Sequence, residues 1–232
     1  MSPSNYSMIG VGIYTVPEAS RLTGVSAARI RRWIAGYDYK VGQETHGSNP
    51  VWPSQLPVID DRAALGFLDL MEIRFVDAFR RHGVSWKKIR LAAKRAGELF
   101  RQSHPFSTRR FQTDGRTIFA EFTDAPKEQA LLDLVKSQYA FKNFISPSLV
   151  AGLEYSDLDD LIRWWPLGEG HPVVLDPNRG FGQPIISEFG VPTAILANAY
   201  NIEKSYEKVA NWYEVNRRAV REAVVFERNL AA

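Results

Sequence analysis

The tightest constraint in the chain lies between Thr15 and Ala35. Thr15-Val16-Pro17-Glu18 is a capping box, in which the Thr15 hydroxyl can accept the Glu18 N–H and the Glu18 carboxylate can reach back to the Thr15 N–H. Pro17 falls in the first turn, where its missing N–H removes no helical bond. The short helix turns Ala19 and Leu22 inward and stops at Gly24, a residue suited to a sharp turn. Ser26 then caps a second helix running from Ala27 to about Ala35. Ile30, Trp33 and Ile34 share one side of it, and Arg29, Arg31 and Arg32 crowd the remaining surface. A capped helix, a glycine turn and an arginine-rich second helix make a helix-turn-helix pattern.

The segment that follows carries turn chemistry at Gly42 and at Gly47-Ser48-Asn49-Pro50, flanked by Tyr37, Tyr39, Val51 and Trp52. It reads either as a β-hairpin wing with Lys40 and His46 near its tip or as a proline-bearing loop. Apolar residues at Phe67, Leu68, Met71, Phe75, Val76 and Phe79 then predict a helix from Ala63 to about Arg81. After His82-Gly83-Val84, Ser85 caps another helix, whose stripe of Trp86, Ile89, Ala93, Ala96 and Phe100 advances by three and four. Lys87, Lys88, Arg90, Lys94 and Arg95 fall mostly on its other faces, either resting on phosphates or solvated.

Charge follows the same division. Residues 71–110 hold eleven Lys or Arg against three acids, whereas residues 111–170 hold five against ten. A basic stretch followed by an acidic one suits an anion-binding surface and a second, different partner.

Residues 104–170 read as largely β. Asp114-Gly115 is a hairpin signal, and Gln138 to Ile145, Gly152 to Tyr155 and Ile162 to Pro166 are strand candidates. Asp157, Asp159 and Asp160 have no histidine at ligand spacing and read as a solvated turn, so no metal site is expected. Trp164 and Trp165 suit packing or a ligand pocket. From His171 onward, two short apolar strands surround Gly180-Phe181-Gly182, which lacks the lysine of a phosphate loop. Helices capped by Thr193, Ser205 and Asn216 follow, the last carrying Ala219, Val220, Ala223 and Val224 inward and Arg217, Arg221 and Arg228 outward.

Two family resemblances rest on these residues. The run from Tyr14 to Trp33, with Ala19 mid-helix, Thr23-Gly24-Val25-Ser26 at the turn and Ile30, Arg31 and Trp33 closing the second helix, resembles the opening of MerR-type regulators. Gly83-Val84-Ser85-Trp86 with Ile89 and Arg90 is similar to the second helix pair of that module. Ile34 stands where that family usually has an acid, and the stretch from Tyr37 to Ile59 is longer than a typical wing. Leu175-Asp176-Pro177, Gly182-Gln183-Pro184, Gly190-Val191-Pro192-Thr193 and Ser205 to Tyr213 resemble small domains found as antitoxins beside PIN-like ribonuclease toxins. Together the two matches resemble VapB-type antitoxins.

The resulting expectation is an α+β, mainly α chain. It has a MerR-like winged helix-turn-helix domain at 1–103, a β-rich connection at 104–170 and a helix-turn-helix-like antitoxin domain at 171–232. Ser26, Ala27, Arg29, Arg31, Arg32, Lys40, Lys87 and Lys88 are the candidate DNA contacts, and Arg217, Arg218 and Arg221 a candidate second DNA or partner surface. The resemblance implies a homodimer on double-stranded DNA of its own promoter and a PIN-like ribonuclease toxin as protein partner. With no cysteine and four scattered histidines, no catalytic site and no cofactor are expected. The sequence shows neither a signal peptide nor a membrane span, so a cytoplasmic protein is expected. The alternative is a ligand-sensing MerR-like repressor with an aromatic pocket at Trp164 and Trp165.

Overall fold

A computed structural model describes residues 10–59, 62–111 and 149–231. They fall into two compact units, one formed by Thr15–Ala151 with Tyr155–Leu161, the other by Met1–Tyr14, Gly152–Glu154 and Ile162–Ala232. Helices and several small sheets share the chain, and among the described residues no helix is long and apolar enough to cross a membrane.

Strand β1 (Tyr14–Thr15), whose Tyr14 is counted with the other unit, leads into α1 (Val16–Thr23) and α2 (Ala27–Ala35) of the first. A hairpin follows, with Tyr39 of β2 (Tyr37–Val41) opposite His46 of β3 (Glu44–Ser48). Its turn is at Gly42-Gln43, so Lys40 sits near the tip while Gly47 to Pro50 leads away from the base. Strand β4 (Val58–Ile59) pairs antiparallel with β5 (Arg62–Leu65), before α3 (Phe67–Arg81) and α4 (Trp86–Phe100). The helix expected from Ala63 therefore starts four residues later. Pairing with β4 holds residues 62–65 extended, and the Gly66 N–H donates to Asp69 Oδ2 at 2.8 Å to open α3.

Helix α3 is buried almost all round, as a central helix must be. Phe75 and Phe79 meet Phe106 and Phe111, with neighbouring ring centroids 4.8 to 6.3 Å apart in the quartet. Three acids nevertheless point into this core: Asp69, Glu72 and Asp77. Burial of a carboxylate is tolerated only where donors replace its water. Asp69 receives Trp52 Nε1 at 2.8 Å on Oδ1, and Ser54 Oγ and the Gln55 and Gly66 N–H groups on Oδ2. His104 Nε2 lies 2.8 Å from the same Oδ1, and since an ionised Asp only accepts, that nitrogen carries the hydrogen. Glu72 is served less well. Its Oε1 accepts the Ser107 N–H at 3.0 Å, but Oε2 has no hydrogen-bond partner among the described residues, and burial pushes its carboxyl well above the ordinary range.

The region expected to be β-rich is mixed where it is described. Pro105–Ser107 is a 3₁₀ turn stitched to α3 by Ser107, and strands occur only at β6 (Leu153–Tyr155) and β7 (Leu161–Trp164). The hairpin expected at Asp114-Gly115 and the strand at 138–145 lie outside the described residues. The acids of 157–160 form a turn around Ser156, with Asp159 paired to Arg109 at 3.0 Å.

The second unit builds a four-stranded sheet in the order β6-β7-β8-β9, with β8 (Val173–Leu175) antiparallel to β9 (Pro184–Ile186). Three helices follow: α5 (Thr193–Glu203), α6 (Tyr206–Trp212) and α7 (Arg217–Ala231). Ser205 and Asn216 cap α6 and α7 as expected, accepting Lys208 N at 3.3 Å and Ala219 N at 2.8 Å. Thr193 does not cap α5. Pro192 takes that position, and the Thr193 hydroxyl donates to Glu227 of α7, with the Pro184 carbonyl 3.3 Å away. Residues 10–14 belong to this unit. Ile13 N–H donates to Phe181 O at 2.9 Å and Tyr14 Oη to Gly182 O at 2.6 Å. A Cβ on Gly182 would stand 2.4 Å from the Tyr14 hydroxyl, and its φ of 79° also favours glycine.

Two outcomes are expected from the buried acids. Asp69→Ala removes the acceptor of several buried donors and should cost about 3–5 kcal/mol in urea unfolding; a loss under about 1 kcal/mol would contradict the role given to it. For Glu72, a folded-state pKa above the unfolded one means stability is fully present below the unfolded value and lost as pH rises through the folded one. Glu72→Gln keeps the acceptor for Ser107 and cannot ionise. Its gain over wild type in unfolding free energy should be larger at pH 8 than at pH 5; an equal or reversed difference would show that Glu72 is not held neutral by the core.

Candidate nucleic-acid interface

The helix pair forms as its sequence dictates. Both halves of the capping box are made, with Thr15 N donating to Glu18 Oε2 at 2.7 Å and Glu18 N to Thr15 Oγ1 at 3.3 Å. Gly24 closes α1 at a φ of 70°, and Thr23 Oγ1 donates to Ala19 O at 2.6 Å. Val25, Ile30 and Trp33 then bury one side of the turn and α2. Ser26 occupies the N-cap of α2, but its side chain makes no capping bond and stays exposed.

The arginines of α2 divide by direction. Arg29 turns toward α3, where Nη2 lies 2.8 Å from Asp77 Oδ1 without hydrogen-bond geometry, and its guanidinium sits 5.0 Å from the Trp33 ring. Asp77 also receives Arg81 Nε at 2.6 Å, so one nearly buried carboxylate holds two cations. Arg31 is exposed on the rim of a groove of about 580 Å³, whose lining includes Val16, Pro17, Ile34 and Arg62. Arg32, exposed opposite Ile30 and Trp33, stacks 5.3 Å from the Tyr37 ring at the root of the hairpin.

The hairpin stands beside α2 as a wing. Gly36 takes a φ of 74°, and a Cβ there would fall 2.2 Å from Ser48 O, so only glycine permits the strands to leave the helix at this angle. Tyr37, Tyr39 and His46 form a strip of adjacent rings, with centroid spacings of 6.0 and 5.7 Å. Lys40 is exposed on the same strand as the two tyrosines.

Lys87 and Lys88 occupy the first turn of α4, opened by Ser85 Oγ accepting Lys88 N at 3.3 Å. Trp86 beside them meets Trp33 edge-on at 5.7 Å, which brings this turn next to α2. The structure thus gathers Ser26, Ala27, Arg29, Arg31, Arg32 and Lys40 on α2 and the wing, with Lys87 and Lys88 on the adjoining helix. Arg217, Arg218 and Arg221 are exposed on α7 of the other unit. Much of the basic segment is engaged within its own unit. Arg80 donates to Val84 O at 2.6 Å, Arg109 pairs with Asp159, and the Arg110 guanidinium covers Phe100 at 4.9 Å. Burial lowers Arg74 to about 10, which still leaves it charged at neutral pH. Sequence reasoning missed the structural role of Asp77 and the place of Arg62, for which periodicity offers no signal. Of the two tryptophans considered for a pocket, Trp164 is buried and Trp165 Nε1 donates to Glu154 Oε2 at 3.0 Å.

A glycine-turned helix pair with an arginine-bearing second helix and an adjoining hairpin defines a winged helix-turn-helix domain. Residues 12–93 match the protein family described as "Putative DNA-binding HTH domain". Over 229 residues the chain is 29% identical to a protein of Mycobacterium tuberculosis named "Putative antitoxin VapB45", an alignment covering 92% of this chain and 93% of that one. The crystal structure of Rv2018 from Mycobacterium tuberculosis superposes with a TM-score of 0.66 at 25% identity, covering 93% of this chain and 99% of that chain.

The division among the arginines has a measurable consequence. Arg29→Ala should lower unfolding free energy by about 1–2 kcal/mol, since it strips a partner from a nearly buried carboxylate, whereas Arg32→Ala should stay within about 0.5 kcal/mol of wild type. Equal losses in parallel urea titrations would contradict the assignment.

Proposed function

We propose that this protein is the antitoxin of a VapBC-like pair, binding the DNA of its own promoter through α2 and the wing. The observation that carries the reading is the exposed edge of α2, with Arg31 and Arg32 turned away from the core beside a hairpin, inside a domain of the matched family. Guanidinium groups on such an edge suit bidentate contacts to guanine or phosphate oxygens. Ser26, Ala27 and Lys40 extend this surface along the turn and the wing, and Lys87 and Lys88 serve as phosphate contacts from α4. Arg29 contributes by fixing α2 on α3. Docking of the MerR type, on two half-sites by a homodimer, fits the helix-turn-helix and wing arrangement.

The antitoxin part of the reading rests on the relative named for that role, which aligns over nearly the whole of both chains. Its partner is proposed to be a PIN-like ribonuclease, neutralised in the cytoplasm without catalysis by the antitoxin. The α6–turn–α7 pair and its exposed Arg217, Arg218 and Arg221 are the proposed second surface, for DNA or for that partner.

Two experiments test the reading. Arg31→Ala and Arg32→Ala should each weaken binding to the upstream duplex by about 1–3 kcal/mol at fixed salt, while circular dichroism stays as in wild type; unchanged affinity would refute the interface. Co-expression with the neighbouring reading frame should restore growth that the neighbour alone arrests. A neighbour harmless by itself would refute the antitoxin assignment.

A further inference from the structure

The wing poses a mechanical problem. Among the described residues it is a two-stranded sheet of β2 and β3 alone, and such hairpins are marginal in water without further support. Asp38 to Lys40 and Gly42 to Gly47 are exposed, so packing along its length does not set its angle. The angle must be set at the base. There the backbone supplies one tie, Val51 N–H to Trp33 O at 2.8 Å, and Gly36 supplies room. Arg32 of α2 adds a contact with the Tyr37 ring at 5.3 Å, and a further tie is a side chain from a different helix. Arg90 of α4 places Nη2 2.7 Å from Ser48 Oγ and 3.0 Å from Asn49 O, the last residue of β3 and its neighbour.

We propose that Arg90 is the positioning residue of the wing, a clamp that holds β2–β3 at the angle required for the DNA contact proposed above. Its guanidinium is set for this task. It lies 5.7 Å from the Trp86 ring, whose edge meets Trp33 of α2, so the clamp and α2 share one aromatic support. Arg80 lies 5.0 Å from the same ring. Among the described residues Arg90 Nε is buried without a hydrogen-bond partner, and the bonds its guanidinium makes go to the wing base.

The proposal rests on the DNA-binding reading, and its test separates the two. Arg90→Met keeps the apolar stem and removes the guanidinium. In the free full-length protein, hydrogen–deuterium exchange at residues 37–48 should quicken at least tenfold in Arg90→Met while α1 and α2 exchange as in wild type. Unchanged exchange in the wing would overturn the clamp. On the upstream duplex, Lys40→Ala should weaken binding several-fold in the wild-type background and have no further effect in the Arg90→Met background, because a wing already misplaced cannot lose its contact again. Losses that multiply in the double variant would overturn the positioning role. A wild-type chain that fails to bind the duplex, while its wing still responds to Arg90→Met, would overturn the DNA-binding reading and support the clamp.

Discussion

One buried carboxylate organises the helix-turn-helix unit. Asp69, in the first turn of α3, gathers Trp52 and Gln55 from the segment after the wing, Gly66 from the end of the small β4–β5 sheet and His104 from beyond α4. The donors come from 3 to 35 residues away along the chain. An ionised group in such a place is expensive unless every lone pair is used. The requirement works in both directions: the donors make the charge tolerable, and the charge fixes where each donor must lie. Ser103 Oγ, 2.8 Å from His104 Nδ1, extends the chain of bonds toward the surface.

The same logic governs the cations. Residues 71–110 carry an excess of lysine and arginine, which as a bare tally suggests a broad anion-binding face. In the folded unit several of these charges have other employment. Arg81 meets Asp77, Arg80 closes the α3–α4 turn on Val84, Arg90 reaches the wing base, and Arg109 pairs with Asp159. The proposed DNA surface therefore lies outside this segment, on the outer edge of α2 and the wing, beside contacts that consume several of its arginines.

The helix-turn-helix was legible because its signals are local. The Thr15–Glu18 box, Gly24 and the Ile30–Trp33 stripe each act within a few residues, and each is found where the sequence put it. The caps of α4, α6 and α7 were legible for the same reason. The start of α3 was not, since residues 62–65 have helical periodicity but are held extended by pairing with Val58 and Ile59. Thr193 resembled a cap because its residue type favours one, yet its hydroxyl bonds to Glu227, a partner 34 residues away. Arg29 was indistinguishable from Arg31 and Arg32 in sequence. What separates them is the 100° step per residue that turns only Arg29 toward a carboxylate on another helix. Long-range polar pairing leaves no periodic trace, and it accounts for most of what the residues alone left open.

On the proposed function, α2 and the wing form the DNA-reading surface, held in place by charges spent inside the same unit. Hydrogen–deuterium exchange of the full chain with and without its upstream duplex tests this most directly. DNA should slow exchange in residues 26–48 and at the start of α4. Protection confined to residues 205–228, with residues 26–48 unaffected, would contradict it.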